Sequence, residues 1–209
     1  MHSKPGPGDL TFTEAARRKQ IVAAAIETIA ELGYAKASFV QIAKRAGLSS
    51  PGLISYHFAN KDDLIEQVVA EIYGAGGAVI TTHNEGAVSA WQALRGYLEG
   101  SIAFYDSHRT YMRALVHILQ GHPEALGRWV GANNVAELDA VEELLVRGQR
   151  AGEFREFDTR TVALIIRQML SGALQHLLTQ PDVDLSGYTH ELVAMCEHAL
   201  AAPEGTTSG

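Results

Sequence analysis

Apolar positions recur at helical spacing almost from the start of the chain. Ile21, Ala25 and Ile29 stand four apart, Val22 and Ile26 sit beside them, and Gly33 ends the stripe as a C′ residue. Ser38 before Phe39, with Gln41 three positions on, forms a capping-box pattern and opens a short helix through Ile42 and Ala43 to Gly47. Ser49-Ser50-Pro51 predicts a serine cap with proline in the first helical position. Asn60 predicts the cap of a fourth helix. Asp62 and Asp63 suit its N-terminal dipole, and Leu64, Ile65, Val68, Val69 and Ile72 form its apolar face. Gly74-Ala75-Gly76-Gly77 is expected to loosen or end that helix and marks the best domain junction.

Longer helical patterns follow at roughly 87–106, 109–120, 123–151, 158–179 and 185–201. Breaks fall at Asp106-Ser107, Gly121, Gly152 and Gln180-Pro181. No β-type alternation exceeds four residues, and no fixed repeat is present. The expected fold is all-α. It divides into a flexible arm (1–14), an N-terminal three-helix unit (15–75, its two short helices at about 39–58), a C-terminal helical bundle (76–202) and a flexible tail (203–209).

Composition changes this picture only when taken by segment. The 209 residues carry a net charge of −7, which on its face argues against a nucleic-acid partner. Residues 1–61 nevertheless balance to +4. The remainder has nine Arg, no Lys and 20 acids, giving −11. Such asymmetry points to a basic reading head on an acidic body. A single cysteine, Cys196, excludes an intrachain disulfide and fits a reducing cytoplasm. Apolar runs fall short of the ~20 residues that span a bilayer, so no membrane association is expected.

Two short helices joined by Ala46-Gly47-Leu48-Ser49 match a helix-turn-helix, in which Gly47 supplies a left-handed turn and the second helix is free to enter a major groove. Residues 18–72 resemble the DNA-binding domain of TetR-type transcriptional regulators. The resemblance rests on Ile21, Ala24-Ala25, Leu32-Gly33-Tyr34, Ile42-Ala43, Ala46-Gly47-Leu48-Ser49, Gly52, Tyr56-His57-Phe58, Lys61 and Leu64. Arg147-Gly148-Gln149-Arg150-Ala151-Gly152-Glu153-Phe154 is similar to a stretch in that family's C-terminal domains.

The resemblance implies a homodimer on double-stranded DNA with a pseudo-palindromic operator, one recognition helix per subunit. It implies phosphate contacts from Ser38, Ser49, Ser50 and Lys61, and places Lys44 among the DNA-binding residues. Pro51, Gly52 and Leu53 would lie toward base edges, and Tyr56 and His57 against the backbone. Tyr56 is open between phosphate contact and packing, and Arg17, Arg18 and Lys19 between phosphate contact and solvated surface. Phe39, Ile42, Leu48, Ile54 and Phe58 are expected core. Ser55 departs from the family, which often has an aromatic there; it still hydrogen-bonds but reaches less far. The recognition surface carries no Arg, Asn or Gln, the side chains that read bases bidentately. Readout would lean on serine hydroxyls, apolar contact with thymine methyls and duplex shape.

In the body, the 158–179 pattern is apolar nearly all round, with Leu164, Ile165, Ile166, Met169, Leu170 and Leu174 among its residues. One side serves the subunit core and the other a partner. Leu192, Val193, Met195, Cys196, Ala199 and Leu200 offer a similar seam in the last helix, and the family implies a dimer through these two helices. Polar and aromatic interruptions, including Trp91, Tyr97, Phe104, Asn133, Arg167 and His176, suggest a pocket for a small-molecule effector. The candidate contacts are Tyr105, Met112, His117, Trp129 and Met169. No GxSxG, P-loop or dinucleotide fingerprint argues for an enzyme. The histidines lack compact ligand spacing, so neither a metal nor another cofactor is expected. The combined expectation is a cytoplasmic, ligand-released repressor. The alternative is an all-α small-molecule-binding or scaffold protein with a weakened DNA-binding head.

Overall fold

The computed structural model describes residues 12–203 except 123, 125, 126, 128, 129 and 181. The arm up to residue 11, the tail from 204 and Trp129 therefore lie outside the described residues. Among the described residues the chain forms nine α-helices and no strand. They are α1 Phe12–Leu32, α2 Phe39–Arg45, α3 Gly52–His57, α4 Lys61–His83, α5 Ala90–Ser107, α6 Arg109–Gly121, α7 Gly131–Arg150, α8 Thr159–Thr179 and α9 Ser186–Leu200. Residues 12–14 are already helical rather than part of an arm. The residues fall into two compact units. The first, or head, runs to Ile72 and takes in Arg113–Leu126; the second, or body, holds Tyr73–Met112 and the chain from Gly127 onward.

In the head, Ile21, Ala25, Ile26 and Ile29 of α1 are fully buried, as are Ile42, Ile54, Leu64, Ile65 and Val68. Phe58 is buried too, but Phe39 and Leu48 are only half-buried. Leu48 is instead a helix terminator. Its N–H reaches the Ala43 carbonyl at 2.9 Å while the Gly47 N–H reaches Lys44 at 3.3 Å, closing α2 in a Schellman motif around Gly47 at φ +64°. The Ser38 capping box forms by halves. The Ser38 hydroxyl accepts from the Gln41 N–H at 3.4 Å, but the Ser38 N–H turns back to the Lys36 carbonyl. Neither Ser49 nor Ser50 caps α3: Pro51 holds the cap position in helical geometry without a side-chain bond. Asn60 caps α4 through the Asp63 N–H at 2.9 Å, and Asp63 accepts from the Ala59 N–H in return. Most of α6, from Arg113 on, belongs to this unit. Tyr34 lies so close to Gly121 that a Cβ there would stand 2.7 Å from its own, and its ring meets the edge of His122 at 5.6 Å.

The body differs from expectation at Gly74-Gly77, where α4 continues unbroken to His83. Packing overrides the low helix propensity of glycine here: the Phe104 ring lies against Gly76, where a Cβ would stand at 3.2 Å. By length and composition α4 is also long and apolar enough to cross a membrane, which the sequence reading did not anticipate. Its Leu64, Ile65, Val68, Val69 and Ile72 are buried against protein.

The body core unites Leu94, Leu98 and Ile102 of α5, Leu138, Val141 and Leu145 of α7, Ile166 and Leu170 of α8, and Leu192 and Cys196 of α9. The stretch from Arg147 to Phe154 is explained by this packing. Gly152 turns the chain at φ +72°, and Phe154 folds back over Gly148 so closely that a Cβ there would stand 2.1 Å from a ring carbon. Glu153 then accepts from the Ala90 and Trp91 N–H groups at 3.0 and 2.9 Å, capping α5. The Trp91 bond above all holds its carboxyl below the usual range. Gly148→Ala is expected to cost about 1–3 kcal/mol through displacement of Phe154, measured as a lower denaturation midpoint. An unchanged midpoint would show that the ring moves freely.

Candidate nucleic-acid interface

α1 positions the two short helices from behind. The Gln20 amide donates to the Ala46 carbonyl at 2.7 Å, holding the turn after α2. Arg45 reaches back to Glu27 at 3.4 Å and to Glu31. Arg18 donates to the His57 carbonyl and lies 4.3 Å from the Phe58 ring centroid, so its guanidinium secures the end of α3. Of the three candidate cations Arg17, Arg18 and Lys19, Arg18 thus has a structural occupation. Arg17 donates to Gln20 at 2.8 Å, and Lys19 is exposed.

With Ile54 and Phe58 turned into the core, α3 exposes its other face. Ser49, Ser50, Pro51, Gly52, Leu53, Ser55 and Tyr56 are all exposed, as are Ser38 and Lys44 near the ends of α2. Leu53 keeps 40% and Tyr56 73% of its surface, a degree of exposure that no internal packing of these apolar groups explains. The fold does not require glycine at position 52, where a Cβ would meet the Ser50 hydroxyl at an ordinary 3.5 Å. Glycine there leaves the backbone open to close approach from outside.

Three predicted residues are engaged within the head. The Tyr56 hydroxyl donates to Glu14 at 3.3 Å, and its ring stands edge-on to His57 at 5.0 Å. Lys61 is half-buried, donates to the Tyr34 carbonyl at 2.6 Å and stands 4.0 Å from the Tyr34 ring centroid. Burial lowers its pKa, and two of its three ammonium protons remain for other acceptors. His57 is half-buried, and burial first and Arg18 second hold its pKa below the ordinary 6.5. A folded-state pKa depressed in a histidine favours the neutral ring. The stability it contributes is full above the unfolded value of 6.5 and is lost as pH falls below it. His57→Gln should therefore flatten the acid side of the stability profile below pH 6.5. An unaltered profile would remove His57 as its source.

Residues 21–68 match the family model described as bacterial regulatory proteins, tetR family. Residues 21–68 are therefore a tetR-family regulatory domain. Among curated relatives, the HTH-type transcriptional regulator BetI 1 of Chromohalobacter salexigens is 36% identical over 98 residues, 46% of this chain and 48% of that protein. The BetI of Escherichia coli O139:H28 is 43% identical over 56 residues, 27% of this chain and 28% of that one. The matches thus span about half or less of these relatives. The likeness of fold extends further. The fatty acid degradation regulator FadR from Bacillus halodurans superposes with a TM-score of 0.78 at 23% identity, covering 99% of both chains. A TetR-family regulator from Rhodococcus sp. gives 0.75 at 23%, covering 90% of this chain and 100% of that one.

Of the candidate effector contacts, Tyr105 and Met169 both pack against the body core. Met112 is buried and Met169 half-buried in the body, whereas His117 lies in the head, within 3.9 Å of where a Cβ on Gly33 would stand. Tyr105 is half-buried in the body, and burial and Glu137 raise its pKa. Its charged neighbours Glu137 and Arg167, with Tyr73, Tyr97 and Asn134, form a polar centre. Of these, Tyr73, Asn134 and Glu137 escaped the sequence reading. Glu137 sits in a run of polar residues that looks like an ordinary solvated helix face. Among the described residues no group of three His, Cys, Asp or Glu is arranged to hold a metal ion.

Proposed function

We propose that the chain is a DNA-binding transcriptional regulator, a cytoplasmic repressor that a small-molecule effector in the body releases from its operator. The observation that carries this is the outward face of α3, with Leu53 and Tyr56 exposed while Arg18, Gln20 and Arg45 fix the helix from behind. Two heads on one duplex require a dimer, and α8 and α9 are the proposed seam. Ala163, Ile166, Leu170, Ala173 and Leu177 fill the subunit core, whereas Leu164 and Ile165 on α8 and Met195 on α9 stand 45%, 51% and 60% exposed. Large apolar side chains so exposed call for a partner surface.

Recovery of genomic fragments on the purified chain tests the reading. Retention should weaken on the order of a thousandfold between 50 and 200 mM salt if about six phosphates are neutralised. Salt-insensitive or absent retention would favour a small-molecule-binding or scaffold protein, a reading motivated by the short Ser55 and the lack of base-reading Arg, Asn or Gln on α3. Single base substitutions in the recovered operator should each cost no more than about 3 kcal/mol, because serine hydroxyls and apolar contacts discriminate weakly.

A further inference from the structure

The first turn of α1 reaches the exposed face of α3. Residues 12–61 hold three acids, Glu14, Glu27 and Glu31. Glu27 and Glu31 pair with Arg45 at the end of α2. Glu14, half-buried in the first turn of α1, accepts instead from the Tyr56 hydroxyl at 3.3 Å. The Tyr56 side chain is otherwise exposed, with its ring edge-on to His57. The outward face of α3 thus carries a phenol whose proton points at a carboxylate of its own chain.

A phenol has one O–H proton, and an ionised carboxylate, like a backbone phosphate, only accepts. Glu14 therefore occupies the place that a DNA phosphate would take on Tyr56. The 3.3 Å separation is longer than the roughly 2.5–3.0 Å usual for O–H···O bonds, so the contact is weak enough to be displaced. Once a phosphate takes the proton, the Glu14 carboxylate is left facing a like charge. Both effects oppose binding. Phosphate contacts carry no sequence information, so the opposition applies to any duplex.

We propose that Glu14 sets the affinity of the DNA face, as an internal competitor that holds the Tyr56 hydroxyl until a phosphate displaces it. The inference rests on the reading of α3 as the helix that meets DNA. Mobility shift at fixed salt tests it, with the full chain on a recovered genomic fragment and on a scrambled duplex of the same length. Glu14→Ala should tighten binding to both duplexes, by about threefold in each head and so about tenfold for two. Glu14→Gln keeps the size of the side chain without its charge and should tighten both as well. Tyr56→Phe should cost at least fivefold more in the Glu14→Ala chain than in the original, because only there is the phenol proton available to DNA. Thermal midpoints measured on the same samples separate a structural role. An acid in the first turn of α1 favours the helix dipole, so losing a merely structural Glu14 would lower the midpoint and weaken binding. Unchanged or weaker binding by both Glu14 variants, or an equal cost of Tyr56→Phe in the two backgrounds, would overturn the inference. If the original chain retains the fragment and either of these results is found, this inference alone falls. If it retains neither duplex, the regulator reading falls and this inference with it.

Discussion

Leu164→Glu combined with Ile165→Glu should yield a folded monomer that has lost at least 100-fold of its affinity for operator DNA. Both residues lie on α8, opposite the buried stripe from Ala163 to Leu177, so the substitutions leave the subunit core intact. In a twofold assembly each change occurs twice and meets its symmetry mate or a neighbour of it. Losing each apolar side chain from such a seam removes about 1.5–3 kcal/mol. Each desolvated carboxylate adds a further penalty. The sum exceeds what a standard-sized interface holds in reserve. DNA affinity falls with the dimer because the second head then no longer binds at the high effective concentration set by the first. Sedimentation, circular dichroism and mobility shift on one sample check the three parts. A dimer that survives both substitutions would move the seam away from this face of α8.

Legibility in the sequence followed the range of the interaction. Gly33, Gly47 and the Asn60 cap were readable because each acts within four residues, and the amphipathic stripes of α1 and α4 repeat at a fixed period. Local chemistry misled where packing outweighed it. Four residues of glycine-rich chain suggested a break in α4, yet the Phe104 ring against Gly76 makes use of the missing side chain. Contacts between distant residues left no local trace. Arg18 looked like a free cation until the fold carried the His57 carbonyl to it across 39 positions. The polar centre was legible only in part: Tyr97 and Arg167 stood out as interruptions of apolar helices, whereas Tyr73, Asn134 and Glu137 are unremarkable on their own helices and acquire meaning only with their partners.

Leu53→Asp should abolish specific DNA retention, by at least 100-fold, in a chain as stable as the original. Leu53 faces outward beside Pro51 and Gly52, one residue from Ile54, which is wholly buried. Its leucine therefore contributes little to the core, and an acid near the start of α3 is, if anything, favourable to the helix dipole. Pressed against a duplex, the same acid meets phosphates across a desolvated gap and removes apolar contact with the groove. An opposing charge effect of about 1.4 kcal/mol in each subunit already multiplies to 100-fold for two heads. Leu53→Ala removes the contact without the charge and should cost far less, which separates repulsion from lost packing. Val88→Asp, at a body position 89% exposed, adds the same charge away from the head and should leave retention unchanged. A comparable loss from Val88→Asp would mean that net charge and not α3 governs binding. Full retention by Leu53→Asp would mean that this face of α3 does not meet DNA.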